Sequence, residues 1–268
     1  MSGTVVSIRA SSLPEAFDCP ARFEAKHLLG MRSPRSGKAL LGTAIHASTA
    51  VYDRSRLEQS GITVDEAAAA AVDAIHHPQE DVSLEADERP QDLEDIAVAL
   101  HARYCTEIAP TQQYAAVEVK CDELVISDLG IALTGTTDRV RQTDAGYGIA
   151  DLKSGGAAVR ADGHVSTHGH AYQLGVYELL AQHASDVPIT APAKIIGLQT
   201  AKTARGQRVA VSEDIVGARE VLVGTDDAPG VLQMVAKMIH GGTFPGNPRS
   251  MLCGPKYCPR FHNCNFRR

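Results

Sequence analysis

The 268-residue chain lacks any apolar run that approaches the roughly 20 residues of a membrane-spanning helix. Its start, Met1 to Ser12, also lacks the apolar segment of a secretory signal peptide. No internal repeat occurs, and Ala67–Ala71 is the single low-complexity run. We therefore expect a cytoplasmic protein that has no membrane partner.

Nucleotide-binding signatures are missing as well. Gly37-Lys38 lies in the polar stretch Gly30–Lys38, but glycine is absent at the P-loop spacing and no Ser or Thr follows the lysine. No helicase motif is present either.

Excess positive charge is also lacking, because the formal net charge of −6 argues against nonspecific binding of polyanions. The charge is uneven, however. The stretch 80–95 carries eight acids against Arg89, whereas the segment from Arg249 to Arg268 carries five bases and no acid. Nucleic-acid affinity depends on where the cations lie, although solvated surface charge explains such runs equally well.

The chain is long enough to bury a full core as one domain, 1–268, and its 44% apolar and 22% charged residues are ordinary for a globular protein. We expect a mainly helical portion at 1–110, an α/β core at 111–245 and a Cys-rich tail at 246–268. Ser12 is predicted to cap a first helix, with Glu15 at the capping-box position. The patterns predict further helices at Leu41–Leu57, Val64–His76, Leu93–Ile108, His170–His183 and Asp226–His240, and strands at Ala115–Ile126, Ile131–Arg141, Gly146–Lys153, Ala193–Thr200 and Arg208–Val211.

The most informative feature is a pair of acids followed by a lysine. The strand that ends near Asp138 and the next strand, which carries Asp151-Leu152-Lys153, form a predicted hairpin. Alternation along a strand directs Asp151 and Lys153 to one face and Leu152 into the core. Two carboxylates and an ammonium suit a divalent metal beside a phosphodiester, whose transition state gains negative charge. Taken alone, the pair Asp151 and Lys153 is better explained as a surface ion pair.

Other residues extend this set. His46, early on a helix, is a possible Mn²⁺ ligand, although such a histidine is more often a core residue. Glu118 is a possible further carboxylate or an exposed strand residue. Gln173 and Tyr177 lie four apart and share a helix face, where they could contact a phosphate or the lysine. The cluster His164, His168 and His170 could touch DNA or a second metal, but a mobile loop with incidental histidines is the favoured explanation.

Six cysteines in a cytosolic chain indicate metal ligands or free thiols rather than disulfides. Cys253, Cys258 and Cys264 cluster in the tail, and Cys19 lies near the start. Four such thiolates suit either a [4Fe–4S] cluster or a structural zinc ion.

Together these residues resemble the PD-(D/E)XK nuclease superfamily, and within it the RecB-like nucleases. The motifs, in the family's order, are Gly42-Thr43-Ala44-Ile45-His46, Gly135-Thr136-Thr137-Asp138, Asp151-Leu152-Lys153 and Gln173-Leu174-Gly175-Val176-Tyr177. The resemblance implies a restriction-endonuclease-like α/β fold, a central mixed sheet flanked by helices.

The resemblance also implies the roles of the site residues. It makes His46, Asp138 and Asp151 ligands of Mg²⁺ or Mn²⁺, assisted by the Leu152 carbonyl. It makes Lys153 the base or the stabiliser of the transition state. Gln173 and Tyr177 are implied to position DNA. The implied activity is hydrolysis of DNA, as an exonuclease in phage or bacterial recombination or repair, with a helicase or a single-strand annealing protein as a possible partner.

The cysteines resemble those of RecB-like nucleases with an iron–sulfur cluster, including AddB-type and CRISPR-associated exonucleases and phage relatives. There, one cysteine before the core and three after it join the two ends of the chain. The four residues between Cys253 and Cys258 depart from the usual two, and zinc with His262 as a substitute ligand is the alternative. A catalytically silent module that binds DNA or builds a complex is the alternative function.

Overall fold

A computed structural model describes residues 5–185 and 187–267. The first four residues, Asp186 and Arg268 lie outside it, so part of the chain start and the last base of the tail are not described. Among the described helices, none combines the length and the apolarity needed to cross a membrane.

The main elements follow the predicted order of helices, strands, a helix and further strands. The helices are α1 (Leu13–Asp18), α2 (Pro20–Phe23), α3 (Gly37–Glu58), α4 (Val64–His76), α5 (Pro90–Arg103), α6 (Ala171–Ser185), α7 (Ala218–Val223) and α8 (Val231–His240). The strands are β1 (Val6–Arg9), β2 (Arg35–Ser36), β3 (Val82–Ser83), β4 (Tyr114–Ile126), β5 (Ile131–Thr143), β6 (Gly146–Gly155), β7 (Lys194–Gln199), β8 (Arg208–Val211), β9 (Gly224–Thr225) and β10 (Ala228–Pro229).

A six-stranded mixed sheet forms the centre. Strand β5 pairs with β4 along one edge, and along its other edge with β1 first and with β6 further on. Strand β7 runs parallel to β6, and β8 closes the sheet antiparallel to β7. The two predicted hairpins, β4–β5 and β5–β6, are therefore present, and the predicted mixed α/β fold is confirmed.

The sheet separates two buried clusters, because successive side chains of a strand face opposite ways. On β7, Ile195 packs with the cluster beneath α6, α7 and α8, whereas Ile196 packs with the cluster beneath α3, α4 and α5. Leu152 of β6 is fully buried in the second cluster, as predicted. Each face of the sheet is thus covered by its own helical layer.

Local signals explain most helix starts. The Ser36 hydroxyl accepts a hydrogen bond from the Ala39 amide at the start of α3, and Thr63 and Glu66 form a complete capping box on α4. The predicted Ser12 cap is wrong, because the Ser12 hydroxyl instead donates to the Arg9 carbonyl at 2.8 Å. Glu15 is engaged elsewhere, in an ion pair with Arg22 at 2.6 Å.

Some boundaries and short elements differ from the prediction. Helix α3 begins four residues before the predicted Leu41, and the last helix begins at Val231 because residues 224–229 form the β9–β10 turn. Strand β1 and helix α7 were not predicted. Both are short, and β1 is formed by parallel pairing with a strand more than 120 residues away, which no local pattern reveals.

The glycine in the middle of α6 generates a stability prediction. A Cβ atom at Gly175 would lie 2.4 Å from the Ala218 carbonyl oxygen. Alanine normally favours a helix over glycine by about 1 kcal/mol, but overpacking against backbone costs about 1–3 kcal/mol. We therefore expect Gly175→Ala to lower the midpoint of thermal denaturation. Gly156→Ala is the control, because a Cβ there meets nothing within 4 Å. Equal midpoints for Gly175→Ala and the parent protein would contradict the close approach of α6 and α7.

Candidate active site

The site lies where strands β5 and β6 separate. Their backbone ladder runs from the turn as far as the pair Arg139–Ala150 and stops there. The next pair would be Asp138 and Asp151, but the Leu152 amide instead donates to the Asp138 carboxylate at 2.7 Å. A side chain thus replaces the backbone acceptor, and the two acids flank the opening between the strands.

Helix α3 brings His46 to this opening. The imidazole Nδ1 lies 3.5 Å from Asp138 Oδ1, and the ring is half-buried. Gly42, one turn earlier, allows the close approach, because a Cβ there would lie 3.0 Å from the Ser154 hydroxyl of β6. In the Gly-x-x-x-His motif, the glycine therefore lets the helix contact the sheet, and the histidine one turn later supplies a possible metal-ligand atom.

Asp151 and Lys153 face the same way, as the strand alternation predicts, and their side chains form an ion pair. The Asp151 residue is 1% exposed. Its Oδ2 atom faces the Lys153 ammonium and accepts no other hydrogen bond from the described residues. A buried carboxylate oxygen with spare lone pairs is a suitable ligand for a hard cation.

Glu118 of β4 completes a second set of donors. Side-chain donor atoms of His46, Glu118 and Asp138 all lie within 4.8 Å of one another. The predicted ligand set named Asp151 instead, which in this structure is paired with Lys153. A β-bulge between Cys121 and Leu124 shifts the β4–β5 register by one residue. The shift places Glu118, rather than its neighbour, opposite Asp138, and a sequence count cannot detect it.

The charges in this cluster are strongly coupled. Burial alone would raise the pKa of Asp138, but His46, Lys153 and the Leu152 amide together lower it. Burial and the Asp138 carboxylate raise the pKa of Asp151 despite Lys153. Burial opposes the charged imidazole, yet Asp138 outweighs that effect and raises the pKa of His46. Asp151 and His46 therefore bind protons more readily than the free side chains do, and a cation at this place must displace those protons.

Helix α6 covers the site from the other face of the sheet. The Gln173 amide donates to the Tyr177 hydroxyl at 2.9 Å, and both side chains are buried. Burial and the nearby Asp151 and Asp138 carboxylates raise the pKa of Tyr177. Gly135 leaves room for the phenol, since a Cβ there would lie 3.1 Å from the Tyr177 ring. The glycine of the Gly-x-x-Asp motif thus accommodates the tyrosine of the helical motif.

The histidine loop contributes one residue to these surroundings. Burial, Lys153 and His168 lower the pKa of His170 to about 4, so His170 is close enough to sense the lysine charge and is neutral at physiological pH. His164 and His168 are exposed.

Four cysteines from the two ends of the chain lie close together in space. Cys19, Cys253, Cys258 and Cys264 line one pocket, and all are free thiols. Burial and the neighbouring Cys19 and Cys264 raise the pKa of the Cys258 thiol. His262 is exposed and does not line this pocket. Among these cysteines, no three sulfur atoms lie within 4.8 Å of one another.

Polar contacts hold the tail against the first helices. The Arg22 guanidinium donates to the Tyr257 carbonyl at 2.9 Å. The Asn247 amide group donates to the Asp18 carbonyl at 2.8 Å, and the Ser250 hydroxyl donates to the Asp18 carboxylate at 2.6 Å. These contacts join the two ends of the chain beside the four thiols.

Comparison with known proteins identifies the family. The family model of the PD-(D/E)XK nuclease superfamily matches residues 8–265, and the chain belongs to this superfamily. Its members use divalent metals, and the donors at the β5–β6 opening fit such an ion. No curated protein matches the chain. The chain is similar to the crystal structure of SSO0001, with 12% identity, a TM-score of 0.42 and coverage of 97% of this chain and 85% of that one.

The coupled acids generate a pH prediction. A metal ion requires neutral His46 and ionised Asp151, and the pKa of each is raised. Protons therefore compete with the ion below neutrality, and we expect the affinity for Mn²⁺ to rise about tenfold or more from pH 5.5 to pH 7.5. The free Mn²⁺ signal in electron paramagnetic resonance (EPR) measures this affinity, with circular dichroism as the control for folding. Equal dissociation constants at the two pH values would contradict the assignment of these ligands.

Proposed function

We propose that this protein is a nuclease that cleaves DNA with Mg²⁺ or Mn²⁺, acting as an exonuclease. The observation that carries the proposal is the opening between β5 and β6. There, donor atoms of His46, Glu118 and Asp138 lie within reach of one dication, and Asp151, paired with the Lys153 ammonium, lies on the neighbouring strand. Membership of the superfamily supports the same conclusion.

The metal is assigned to His46, Asp138 and Asp151, with the Leu152 carbonyl and with Glu118 as a further donor. A bound dication would neutralise phosphate charge and acidify a water molecule. The mixed carboxylate–imidazole donors and the burial of Asp151 beside them support this assignment.

The chain's own residues supply the remaining functions. Lys153, paired with Asp151, presents a positive charge to the phosphodiester, where it stabilises the charge that develops in the transition state and orients the attacking water. Gln173 fixes the Tyr177 hydroxyl by a hydrogen bond, so that the pair can contact the DNA strand from α6. The buried positions of Asp138 and Asp151 exclude bulk water from the reacting groups.

The finer assignments rest on the motifs. The exonuclease mode, the RecB-like subtype, a phage or bacterial recombination or repair context and a helicase or annealing partner follow from the resemblance. For the cysteine pocket we propose a [4Fe–4S] cluster. His262 does not line the pocket, so the candidate ligands are the four thiolates, a donor set that such a cluster uses.

Cleavage of labelled linear DNA tests the proposed activity. We expect degradation with Mn²⁺ or Mg²⁺, and we expect Lys153→Ala to slow it by at least about 100-fold with Mn²⁺ affinity and thermal midpoint nearly unchanged. Lys237→Ala, an exposed lysine on α8, is the matched control and should cleave like the parent protein. Intact DNA across both metals and several end types, with folded protein, would reject the nuclease and favour a silent DNA-binding or complex-building module.

The cysteine site has its own test. A metal held by thiolates from both ends of the chain contributes folding free energy. We therefore expect Cys258→Ser to lower the thermal midpoint clearly, whereas the rate of cleavage by the folded variant should change little. Cys121→Ser, which replaces a buried cysteine of β4, controls for the loss of a buried thiol. Anaerobically purified protein should be brown and absorb near roughly 400 nm if iron is bound. Colourless protein that releases zinc would support the alternative metal. A Cys258→Ser variant with the thermal midpoint of the parent would contradict a metal that links the two ends of the chain.

A further inference from the structure

A fully buried arginine lies directly behind the candidate site. Arg139 follows Asp138 on β5, and its side chain is completely inaccessible to solvent. Its Nε donates to the Asp53 carboxylate at 2.7 Å, and its Nη1 donates to the Asp138 carbonyl at 2.8 Å. The same Nη1 lies 3.4 Å from Glu118 Oε1, and Nη2 donates to the Thr49 hydroxyl at 3.3 Å. One guanidinium thus joins helix α3 to strands β4 and β5.

Aromatic hydroxyl groups hold the far end of this connection. The Tyr104 hydroxyl donates to Asp53 Oδ2 at 2.5 Å and lies 3.0 Å from the Tyr114 hydroxyl. The Arg139 guanidinium also lies over the Tyr114 ring, 5.8 Å from its centroid. The Asp53 side chain is fully buried as well. The Asp53 carboxylate and the Arg139 guanidinium are therefore restrained by burial and by hydrogen bonds.

Helix α3 contributes to the site twice. His46 and Asp53 are seven residues apart, which places them about two turns apart on one face of the helix. His46 reaches the Asp138 carboxylate directly. Asp53 reaches the same cluster through Arg139, which contacts Glu118 and the Asp138 backbone.

Glu118 has an unusual backbone that such a connection can hold. Its φ angle is +52°, a left-handed conformation that a non-glycine residue in a strand rarely adopts and that persists only when its surroundings enforce it. The Glu118 side chain is turned toward His46 and Asp138 in this conformation, and Arg139 is its ion-pair partner. A buried ion pair is weak evidence for stability, and its better supported use is to fix geometry.

We propose that Asp53 is a positioning residue, which acts through Arg139 to hold the Glu118 carboxylate in place as a metal ligand. The proposal rests on the proposed metal site, but not on nuclease activity. Asp53 itself contacts neither the metal nor DNA, and its effect passes through one guanidinium. Loss of the Asp53 charge frees Arg139 and, with it, the Glu118 carboxylate.

A double-mutant cycle on Mn²⁺ binding tests this connection. The dissociation constant is measured by EPR for the parent, Asp53→Asn, Glu118→Gln and the double variant, without DNA. Removing a partner that orients a metal ligand weakens metal binding about 10- to 100-fold, and we expect Asp53→Asn to lie near the lower value. In the Glu118→Gln background, the same substitution should change the dissociation constant by less than about twofold, since coupled sites are not additive.

Controls separate positioning from a general loss of structure. Tyr104→Phe removes a hydrogen bond from Asp53 and keeps the charges, so it serves as the gentler variant in the same cycle if Asp53→Asn does not fold. It should weaken Mn²⁺ binding by about two- to threefold, and again only when Glu118 is present. Asp73→Asn, an exposed acid of α4 paired with His77, should leave the affinity unchanged.

The outcomes distinguish the two proposals. Equal weakening by Asp53→Asn with and without Glu118, or no weakening at all, overturns the positioning role, as does a parent protein that binds no Mn²⁺. A parent protein that binds Mn²⁺ and shows the coupling but leaves DNA intact upholds the positioning role while the nuclease proposal fails.

Discussion

The separation of β5 and β6 after the pair Arg139–Ala150 is the constraint on which the site depends. If the backbone ladder continued, Asp138 and Asp151 would be ordinary neighbours in a closed sheet. The Asp138 carboxylate instead accepts a hydrogen bond from the Leu152 amide, which gives this backbone donor a partner at the point of separation. The acid is therefore both a structural acceptor and a candidate ligand, and its second oxygen faces His46.

The space around this opening is set by glycines and by a bulge. Gly42 lets α3 approach β6, and Gly135 leaves room for the Tyr177 ring. The bulge in β4 turns Glu118 toward the cluster. Backbone features outside the cluster thus place its charged groups. The glycines of the motifs are needed because neighbouring elements pack closely against them.

Periodicity and short motifs were sufficient to predict much of the molecule. Helix α4 and strand β8 have the predicted bounds, and the alternation along β6 placed Leu152 in the core and Lys153 beside Asp151. The contribution of Glu118 was only a possibility, because a one-residue register shift and a left-handed φ angle leave no local signature. The Asp53–Arg139 pair, 86 residues apart, was equally inaccessible. Long-range contacts of this kind are decided by tertiary packing, which a single sequence does not display.

The two helical layers on opposite faces of the sheet carry different parts of the site. One layer supplies His46 and the other supplies Gln173 and Tyr177, whereas the acids belong to the sheet between them. A chain in which either layer is still undocked therefore lacks some of the groups to which the proposed function assigns a role, however compact it is. Under that proposal, nascent or partly opened molecules would not cleave DNA before both layers have docked.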